Sequence, residues 1–334
     1  MPASKGFFYF NHGPHLHEYL EEFNRDVFSH YDCMILAEAP MVTPKVALKY
    51  IDESNNPVLD MMIQFKTQEA DCLFTDFNHV KFSLRRLKRA YSAWQNKLEG
   101  KGWNMLYIEN HDHPRMVSRY GSEKYRKESA KMLAASYLFL KGTPFIYQGQ
   151  EIGMSNWYPS DPSMYEDVQT RWQYENVATK KSDEKRLQRL WFGSRDSSRT
   201  PVQWDDTDNA GFSSSKPWFY VNENYKEVNV KEQENDKDSI LNFYRKAVTL
   251  RKELKVVKEG NYKEYNKLSS RVYMYSREDE NQKLLVICSF SEKETKLNIP
   301  SNFDLSKSTL ILNNYDNDSL VLKPYETRVY LWNK

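Results

Sequence analysis

Short apolar runs alternate with amphipathic helices through the first 150 residues of this chain. The runs that predict strands cover residues 33–38, 58–65, 104–108 and 143–147. The helical spacing of apolar residues predicts helices at 15–28, after residue 43, at about 83–98 and at about 122–140. Strands and helices that alternate at this spacing are typical of parallel βα units, so we expect four parallel strands.

The first helix and the first strand carry the clearest burial signals. The helix at 15–28 places apolar side chains on one face, which is its predicted core face: Leu16, Tyr19, Leu20, Phe23 and Val27. Residues 33–38 are almost continuously apolar, which is typical of a strand buried on both faces. Thr43 followed by Pro44 predicts the start of the next helix, because proline is favoured at the first helical position.

The chain from about 154 to 237 departs from this alternation and is polar, aromatic and rich in turn residues. A segment of this length outside regular structure usually carries function or borders an active site. Asp238 and Ser239 then predict the start of a helix. The apolar residues of that helix, which follow the helical period, are Ile240, Phe243, Tyr244, Ala247 and Leu250.

After about residue 258 the pattern changes to short apolar runs separated by Ser, Asn, Asp, Gly and Pro. The runs cover residues 272–275, 284–290, 297–299, 309–312, 320–322 and 327–332. This texture predicts an antiparallel β-sandwich over residues 259–334, which we interpret as a structural module without chemistry of its own. Residues 1–258 are then expected to form an α/β domain.

Composition argues against several classes of partner. The 48 Lys and Arg residues nearly balance the 46 Asp and Glu residues and are interspersed with them, so no nucleic acid partner is expected. No apolar run reaches the ~18 residues of a membrane helix, and the first residues have no signal-peptide core. We therefore expect no membrane partner and a cytoplasmic location. The glycines form no phosphate-binding loop, so no cofactor is expected.

Cysteine and histidine spacing predicts no metal site. Cys33, Cys72 and Cys288 lie far apart beside apolar residues, which indicates three buried, reduced thiols. The histidines other than His111 lack the spacing of zinc ligands and are interpreted as surface or rim residues: His12, His15, His17, His30, His79 and His113. The many aromatic residues suit both a large core and stacking on sugar rings.

The densest cluster of reactive side chains follows the third predicted strand. After Tyr107 and Ile108 come, within a few positions, Asn110, His111, Asp112, His113 and Arg115. A strand requires none of these residues, whereas together they can bind and polarise a hydroxylated substrate. The first predicted strand likewise ends in Glu38, where burial would raise the carboxyl pKa as a general acid requires. An exposed strand-end carboxylate is the alternative interpretation of Glu38.

At the Asn110-His111-Asp112 triplet the chain resembles glycoside hydrolase family 13, most closely its α-glucosidase and oligo-1,6-glucosidase members. Further motifs that carry the resemblance lie at residues 142–149, 151–154 and 195–204. In that family the triplet ends the seventh strand of a TIM (β/α)8 barrel. The resemblance therefore implies a partial barrel, strands 5 to 8 of the family pattern, followed by an all-β sandwich domain. It implies neither a cofactor nor a metal for these residues.

The resemblance implies roles for individual residues on an α-linked gluco-oligosaccharide. Glu38 matches the acid/base glutamate of the family, and Asp112 matches the carboxylate that stabilises the transition state. His111 matches a group that contacts hydroxyls of the same glucose, and Arg195 matches the arginine of the glucose subsite in exo-acting relatives. Arg199 belongs to the same matching stretch as Arg195, with anchoring of the loop as its alternative role.

A retaining glycosidase also needs a nucleophilic carboxylate about 5 Å from the acid/base. In this family that Asp ends the fourth strand in a context like Gly-Phe-Arg-x-Asp, and the sequence contains no such segment. Asp26 follows an arginine but lies in the predicted helix at 15–28. The resemblance covers only the second half of a barrel, so we expect the isolated chain to be inactive.

Several interpretations stay open at this point. The chain is either a truncated gene product or is completed by another copy or by a polypeptide that carries the first four strands. A trehalose-6-phosphate hydrolase fragment is the alternative enzyme, and it would need a cationic phosphate pocket. A non-catalytic carbohydrate-binding or interaction protein is the alternative that the missing nucleophile favours. The linkage preference is also left open by the sequence.

Overall fold

The computed structural model describes residues 12–334. Its strands are β1 (Leu36–Glu38), β2 (Met61–Ile63), β3 (Cys72–Leu73), β4 (Thr75–His79), β5 (Met105–Leu106), β6 (Thr143–Pro144), β7 (Asn261–Tyr265), β8 (Val272–Glu278), β9 (Gln282–Ser289), β10 (Thr295–Lys296), β11 (Thr309–Asn313), β12 (Val321–Leu322) and β13 (Thr327–Asn333). Its α-helices are α1 (Leu16–Asp26), α2 (Pro44–Ile51), α3 (Leu84–Leu98), α4 (Met116–Arg119), α5 (Arg126–Leu138), α6 (Val168–Asn176), α7 (Asp183–Gly193), α8 (Asp196–Arg199), α9 (Val230–Glu234), α10 (Ile240–Glu253) and α11 (Lys255–Glu259).

The four strands predicted in the first half form a parallel arrangement. β1 pairs with β2, placing Leu36 opposite Met61, and β5 pairs with β6, placing Met105 opposite Thr143. β2 also contacts β5, so the order across the sheet is β1, β2, β5, β6. Side chains of Met61, Met105 and Tyr107 pack into one apolar cluster. The arrangement is a partial (β/α)8 barrel, and among the described residues β1 and β6 each pair with a single strand.

The outer side of β1 is exposed, against the expectation from the apolar pattern. α1 forms as predicted, but none of its residues is buried. The exposed members of its predicted core face are Leu16, Tyr19, Phe23 and Val27. β1 itself is half-buried to exposed, and Cys33 before it is exposed, whereas Cys72 and Cys288 are buried. The predictions of a buried helix face, a doubly buried strand and a buried Cys33 are wrong for this chain, because no described strand pairs with the outer edge of β1.

Three helices begin with a capping side chain, and two of these caps, Thr43 and Ser239, were predicted from the sequence. The side chains of Thr43, Ser83 and Ser239 each accept a hydrogen bond from the amide three residues along, at 3.3, 3.4 and 3.0 Å. α5 is buried almost along its whole length and lies within the largest apolar cluster. Throughout the described chain, no helix is both long enough and apolar enough to cross a lipid bilayer.

The polar segment from 154 to 237 contains the helices α6 to α9, which the apolar pattern does not predict. α6 packs against α7, and α7 packs against the antiparallel hairpin of β3 and β4. Phe77, Trp157, Tyr165 and Leu190 form a small apolar cluster between these elements. The hairpin was not predicted either, because its residues alternate too briefly to show a strand period.

The C-terminal residues form a five-stranded antiparallel sheet in the order β11-β13-β9-β8-β7 and a two-stranded pair of β10 and β12. One face of the large sheet packs against α3 and α5, and the other packs against Leu297 and Leu322. The predicted strand at 297–299 is displaced to β10, and β7 was not predicted. Because the largest apolar cluster includes residues from both sides of it, the boundary between 258 and 259 stays a prediction.

Two buried cations connect neighbouring parts of the chain through backbone carbonyls. Lys88 on α3 donates to the carbonyl oxygen of Asn266, beyond β7, at 2.7 Å. Arg251 on α10 donates to the carbonyl oxygens of Leu140, at 2.7 Å, and of Gly142. Arg251 therefore holds the turn that leads from α5 into β6, and with it the edge strand of the parallel sheet.

Gly142 offers a test of how tightly β6 approaches β5. Its φ is 138°, and a Cβ there would overlap the carbonyl oxygen of Asn104. Gly100 also has a positive φ, 67°, but a Cβ there would meet no atom within 4 Å. We expect Gly100→Ala to cost about 1 kcal/mol of unfolding free energy, from backbone strain alone, and Gly142→Ala more than about 3 kcal/mol. Urea denaturation measures both, and equal losses would contradict the close packing.

Candidate active site

Asp112 lies just beyond β5, at the centre of a cluster of charged side chains. Its Oδ1 accepts hydrogen bonds from Arg195 and from Arg199, each at 3.0 Å. Nε2 of His111 lies 3.4 Å from the other carboxylate oxygen. The backbone amide of Asp112 donates to Oδ1 of Asn110 at 3.0 Å. One half-buried carboxylate therefore faces two guanidinium groups at the carboxyl end of the parallel sheet.

Arg195 is positioned by a second carboxylate. Its Nε donates to Oδ1 of Asp167 at 2.8 Å. The other oxygen of Asp167 accepts from the amide and the hydroxyl of Thr170, at 2.8 and 2.7 Å, and so starts α6. Burial acts to raise the pKa of Asp167, but the hydrogen bonds from Thr170 and Arg195 outweigh it and the pKa is lowered. Asp167 is therefore ionised at neutral pH and holds Arg195 towards Asp112.

Arg199 and His111 complete the cluster from two different loops. Nε of Arg199 donates to the backbone carbonyl of His111 at 3.0 Å while its Nη2 reaches Asp112. Arg199 therefore anchors the loop and contacts the carboxylate at the same time. The imidazole of His111 has 59% of its side chain exposed, so it is accessible to a ligand.

Glu38 lies at the carboxyl end of β1, the same end of the sheet as Asp112. Burial raises the pKa of the Tyr107 phenol, and the Glu38 and Asp112 carboxylates act in the same direction, so both lie near that phenol. Tyr107 is fixed by a hydrogen bond of 2.5 Å to the carbonyl oxygen of Gln64, beyond β2. The Glu38 side chain is exposed, so the desolvating surroundings expected from the sequence are not present around it.

A buried ion pair beneath the cluster joins the loops that carry it. Nη1 of Arg115 donates to Oε1 of Glu109 at 2.7 Å, and both side chains are fully buried. The second oxygen of Glu109 accepts from the amide of Met116 at 2.9 Å. Arg115 also donates to the carbonyl oxygens of Gln148, at 2.7 Å, and of Ser197, at 3.3 Å. The expectation that the whole cluster from Asn110 to Arg115 faces a substrate is wrong for Arg115, which the structure places in the interior.

His113 also turns inward, contrary to its interpretation as a surface or rim residue. Its side chain is 12% exposed. Nδ1 lies 2.8 Å from Oδ1 of Asn110, and Nε2 lies 3.5 Å from Oδ2 of Asp76 on β4. Because the hairpin of β3 and β4 was not predicted, the sequence showed no element that could cover His113.

A cavity of about 210 Å³ opens beside Asp112 and Arg195. Two carboxylates that the sequence pattern does not single out, Asp76 and Asp167, also line it. Its volume is below the ~300–1,000 Å³ of complete small-molecule sites, as expected for one wall of a larger pocket. In the sequence, only its place in the long segment from 154 to 237 pointed to Asp167 as a site residue. No feature of the sequence pointed to Asp76.

The chemistry that this arrangement can perform is recognition of a hydroxylated ligand. Carboxylate oxygens accept hydrogen bonds from hydroxyl groups, and guanidinium groups hold those carboxylates in place. Within residues 12–334, no group of three or more His, Cys, Asp and Glu residues is arranged to hold a metal ion. A partial (β/α)8 barrel with acidic residues at the carboxyl ends of its strands carries them at the end where barrel enzymes have their active sites.

Comparison with known proteins gives the family directly. The family described as "Alpha amylase, catalytic domain" matches residues 2–260. The chain therefore belongs to the α-amylase family, glycoside hydrolase family 13, as the sequence motifs indicated.

Individual relatives are similar over nearly the whole chain. The oligo-1,6-glucosidase of Parageobacillus thermoglucosidasius is 40% identical over 96% of this chain and 59% of its own length. The trehalose-6-phosphate hydrolase of Bacillus subtilis (strain 168) is 38% identical over the same shares. The crystal structure of the Bacillus licheniformis trehalose-6-phosphate hydrolase superposes with a TM-score of 0.92 at 39% identity, covering 96% of this chain and 60% of that one. This chain thus spans about three-fifths of the length of the relatives it matches.

The buried ion pair predicts that Arg115→Met lowers the free energy of unfolding much more than substitution of an exposed lysine does. Arg115→Met leaves the Glu109 carboxylate buried without its cation, which we expect to cost about 3–5 kcal/mol of unfolding free energy. The matched control is Lys127→Met, which breaks an exposed pair with Asp236 at 3.0 Å. That change should cost less than about 1 kcal/mol. Urea denaturation followed by tryptophan fluorescence distinguishes the two, and similar losses would refute the structural role of Arg115.

Asp76 predicts a pH dependence of stability. Burial raises its pKa from 3.8 to about 6, with Arg119 acting against burial and Asp71 and Asp112 adding to it. The folded chain therefore binds the proton more tightly than the unfolded chain, so stability falls as pH rises from 3.8 to 6 and stays lower above. Asp76→Asn should remove this loss, raising the thermal midpoint at pH 7.5 more than at pH 4. An equal change in the thermal midpoint at both pH values would contradict the raised pKa of Asp76.

Proposed function

We propose that this chain supplies half of the active site of a retaining α-glucosidase of the oligo-1,6-glucosidase type. The substrate would be an α-glucosidic bond in a short gluco-oligosaccharide. The observation that carries the proposal is the convergence of His111, Asp112, Arg195 and Arg199 at the end of the sheet where Glu38 also lies. The similarity to the oligo-1,6-glucosidase of P. thermoglucosidasius supports it.

Each residue has a distinct part in this reaction. Glu38 acts as the acid that protonates the glycosidic oxygen and then as the base that takes a proton from water. Asp112 accepts hydrogen bonds from glucose hydroxyls, and these strengthen as positive charge develops on the sugar ring. Arg195 and Arg199 hold Asp112 in place through their hydrogen bonds, and His111 contacts the same glucose. The exposed Glu38 would gain a desolvated environment only when the opposite wall of the pocket is in place.

The reaction also needs a nucleophilic carboxylate beside Glu38. In the part of the chain that the structure describes, no strand pairs with the outer edge of β1, where the strand bearing that group would lie. We infer that a polypeptide carrying the first four barrel strands pairs with β1 and covers the exposed side chains of Tyr19 and Phe23 on α1. The greater length of the relatives supports this inference.

Reconstitution tests the proposal directly. The chain is assayed alone and after mixing with the part of the P. thermoglucosidasius relative that precedes the matched region. We expect the chain alone to hydrolyse neither p-nitrophenyl α-glucoside nor isomaltose, and the mixture to hydrolyse both. In the mixture, Glu38→Gln and Asp112→Asn should each lower kcat/KM on isomaltose by about 10²–10⁴-fold. Lys127→Met, at an exposed residue whose ion pair is with Asp236, is the control that should leave turnover unchanged.

Azide distinguishes the proposed roles of Glu38 and Asp112 in the same assay. Azide attacks the glycosyl-enzyme intermediate without needing a base, so it should restore turnover of p-nitrophenyl α-glucoside by the Glu38→Gln mixture. It should not restore the Asp112→Asn mixture, because that change removes charge stabilisation from both steps. Hydrolysis by the isolated chain that survives Glu38→Gln would show that the chemistry is assigned to the wrong residues. Isomaltose binding that Asp112→Asn abolishes, without turnover in any mixture, would favour a non-catalytic carbohydrate-binding protein.

Trehalose 6-phosphate is the second candidate substrate. The similarity to the trehalose-6-phosphate hydrolases of B. subtilis and B. licheniformis favours it. That similarity is nearly as strong as the similarity to the oligo-1,6-glucosidase. Against it, both guanidinium groups of the cluster, Arg195 and Arg199, are already engaged by Asp112 and so do not form a separate phosphate pocket. We therefore expect the reconstituted enzyme to show a higher kcat/KM for isomaltose than for trehalose 6-phosphate, and the reverse order would establish the second candidate.

A further inference from the structure

Asn110 holds the loop that carries Asp112 through hydrogen bonds that also determine which ring nitrogen of His113 carries a hydrogen. Oδ1 of Asn110 accepts from the backbone amide of Asp112 at 3.0 Å. Nδ1 of His113 lies 2.8 Å from the same oxygen. A backbone amide is always a donor, so this Asn110 atom is the acceptor oxygen, and Nδ1 must carry a hydrogen. In a neutral His113 the other nitrogen, Nε2, is therefore a bare acceptor.

That acceptor faces a carboxylate. Nε2 of His113 lies 3.5 Å from Oδ2 of Asp76, and both side chains are largely buried. An ionised carboxylate has only lone pairs to offer, so a hydrogen bond between these two atoms requires one proton, either on Nε2 or on Asp76. Nη2 of Arg119 lies 3.1 Å from the other oxygen of Asp76, and Arg119 is itself buried. A neighbouring buried cation disfavours a second positive charge on the imidazole.

Burial and the neighbouring charged groups shift the pKa values of His113 and Asp76 in opposite directions. Burial lowers the pKa of His113 well below its usual value, and Arg119 and His111 lower it further. Burial raises the pKa of Asp76 to about 6, with Arg119 and Cys72 opposing and Asp71 and Asp112 adding. The shared proton therefore resides on Asp76 at low pH and is lost as pH rises through about 6.

We propose that Asp76 and His113 share one proton and act as a positioning pair that holds Asn110 and, through it, the backbone of Asp112. With the proton present, the Asp76 hydroxyl donates to Nε2, and Nδ1–H of His113 donates to Asn110. When the proton leaves, the carboxylate and the Nε2 lone pair repel each other, and Asn110 loses its support. The consequence for sugar binding rests on the proposed function of Asp112: affinity for an α-glucoside falls as pH rises through about 6.

Nuclear magnetic resonance of the sugar-free chain tests the pair without reference to activity. In a uniformly ¹⁵N-labelled sample, His113→Gln identifies the ring signals of His113. We expect the Nδ1–H tautomer, and we expect the Nε2 signal and the backbone amide signal of Asp112 to shift together with an inflection near pH 6. An Nε2–H tautomer, or a doubly protonated ring throughout pH 5–8, would overturn the proposal.

Asp76→Asn is the sharpest variant, because its amide can donate to Nε2 at every pH while its oxygen accepts from Arg119. The inflection in the Asp112 amide should disappear in Asp76→Asn, and an unchanged inflection would overturn the proposal. Asp76→Ala should instead leave the Asp112 amide at its high-pH position over the whole range. The two variants should place the Asp112 amide signal at opposite ends of its range. The test therefore does not depend on the correct folding of one variant alone.

Isomaltose titrations of the chain, with and without the reconstituting polypeptide, connect the pair to the proposed site. Affinity should fall about tenfold between pH 5 and 7.5 in the unmodified chain, the size of one lost hydrogen bond, and less than about twofold in Asp76→Asn. Isomaltose binding with an identical pH profile in both proteins would overturn the positioning role. If isomaltose does not bind at any pH while the resonance shifts occur as expected, the proposed function fails and the positioning pair is supported.

Discussion

The buried pair of Arg115 and Glu109 is the interaction on which the rest of the site depends. Neither charge can lose its partner without a large desolvation penalty, so the pair stays closed. Arg115 also donates to the carbonyls of Gln148 and Ser197, and Glu109 accepts from the start of α4. The loops after β5 and β6 and the helix α8 are therefore held together. Asp112 and Arg199 meet because these loops are joined beneath them.

The open edge of the parallel sheet explains why the two proposed catalytic carboxylates differ. Asp112 follows a strand with neighbours on both sides, and arginines from the long segment reach it. Glu38 ends an edge strand, so its surroundings are solvent. The same edge leaves the apolar face of α1 uncovered. The described chain thus builds the Asp112 side of the proposed pocket and leaves the Glu38 side open.

Much of the fold could be predicted from the sequence because its signals are local. Apolar runs and helical periods placed the parallel strands, and Thr43 and Ser239 marked helix starts that the structure confirms. The helices of the long segment and the hairpin of β3 and β4 were missed because their apolar residues are few and irregular. For the site, the residue types after β5 were informative, but the sequence did not show which of these side chains face solvent. His111 faces solvent, whereas Arg115 is buried.

By itself, the sequence determined the alternation of the four parallel strands with their helices, the family and the identity of the residues at the carboxyl ends of those strands. Only the tertiary structure decided their partners. Arg195 is oriented by Asp167, and His113 faces Asp76, through packing of segments distant in sequence. Residue type states which groups can donate or accept, but burial and pairing decide which of them hold a proton, because both depend on neighbours that only the folded chain brings close.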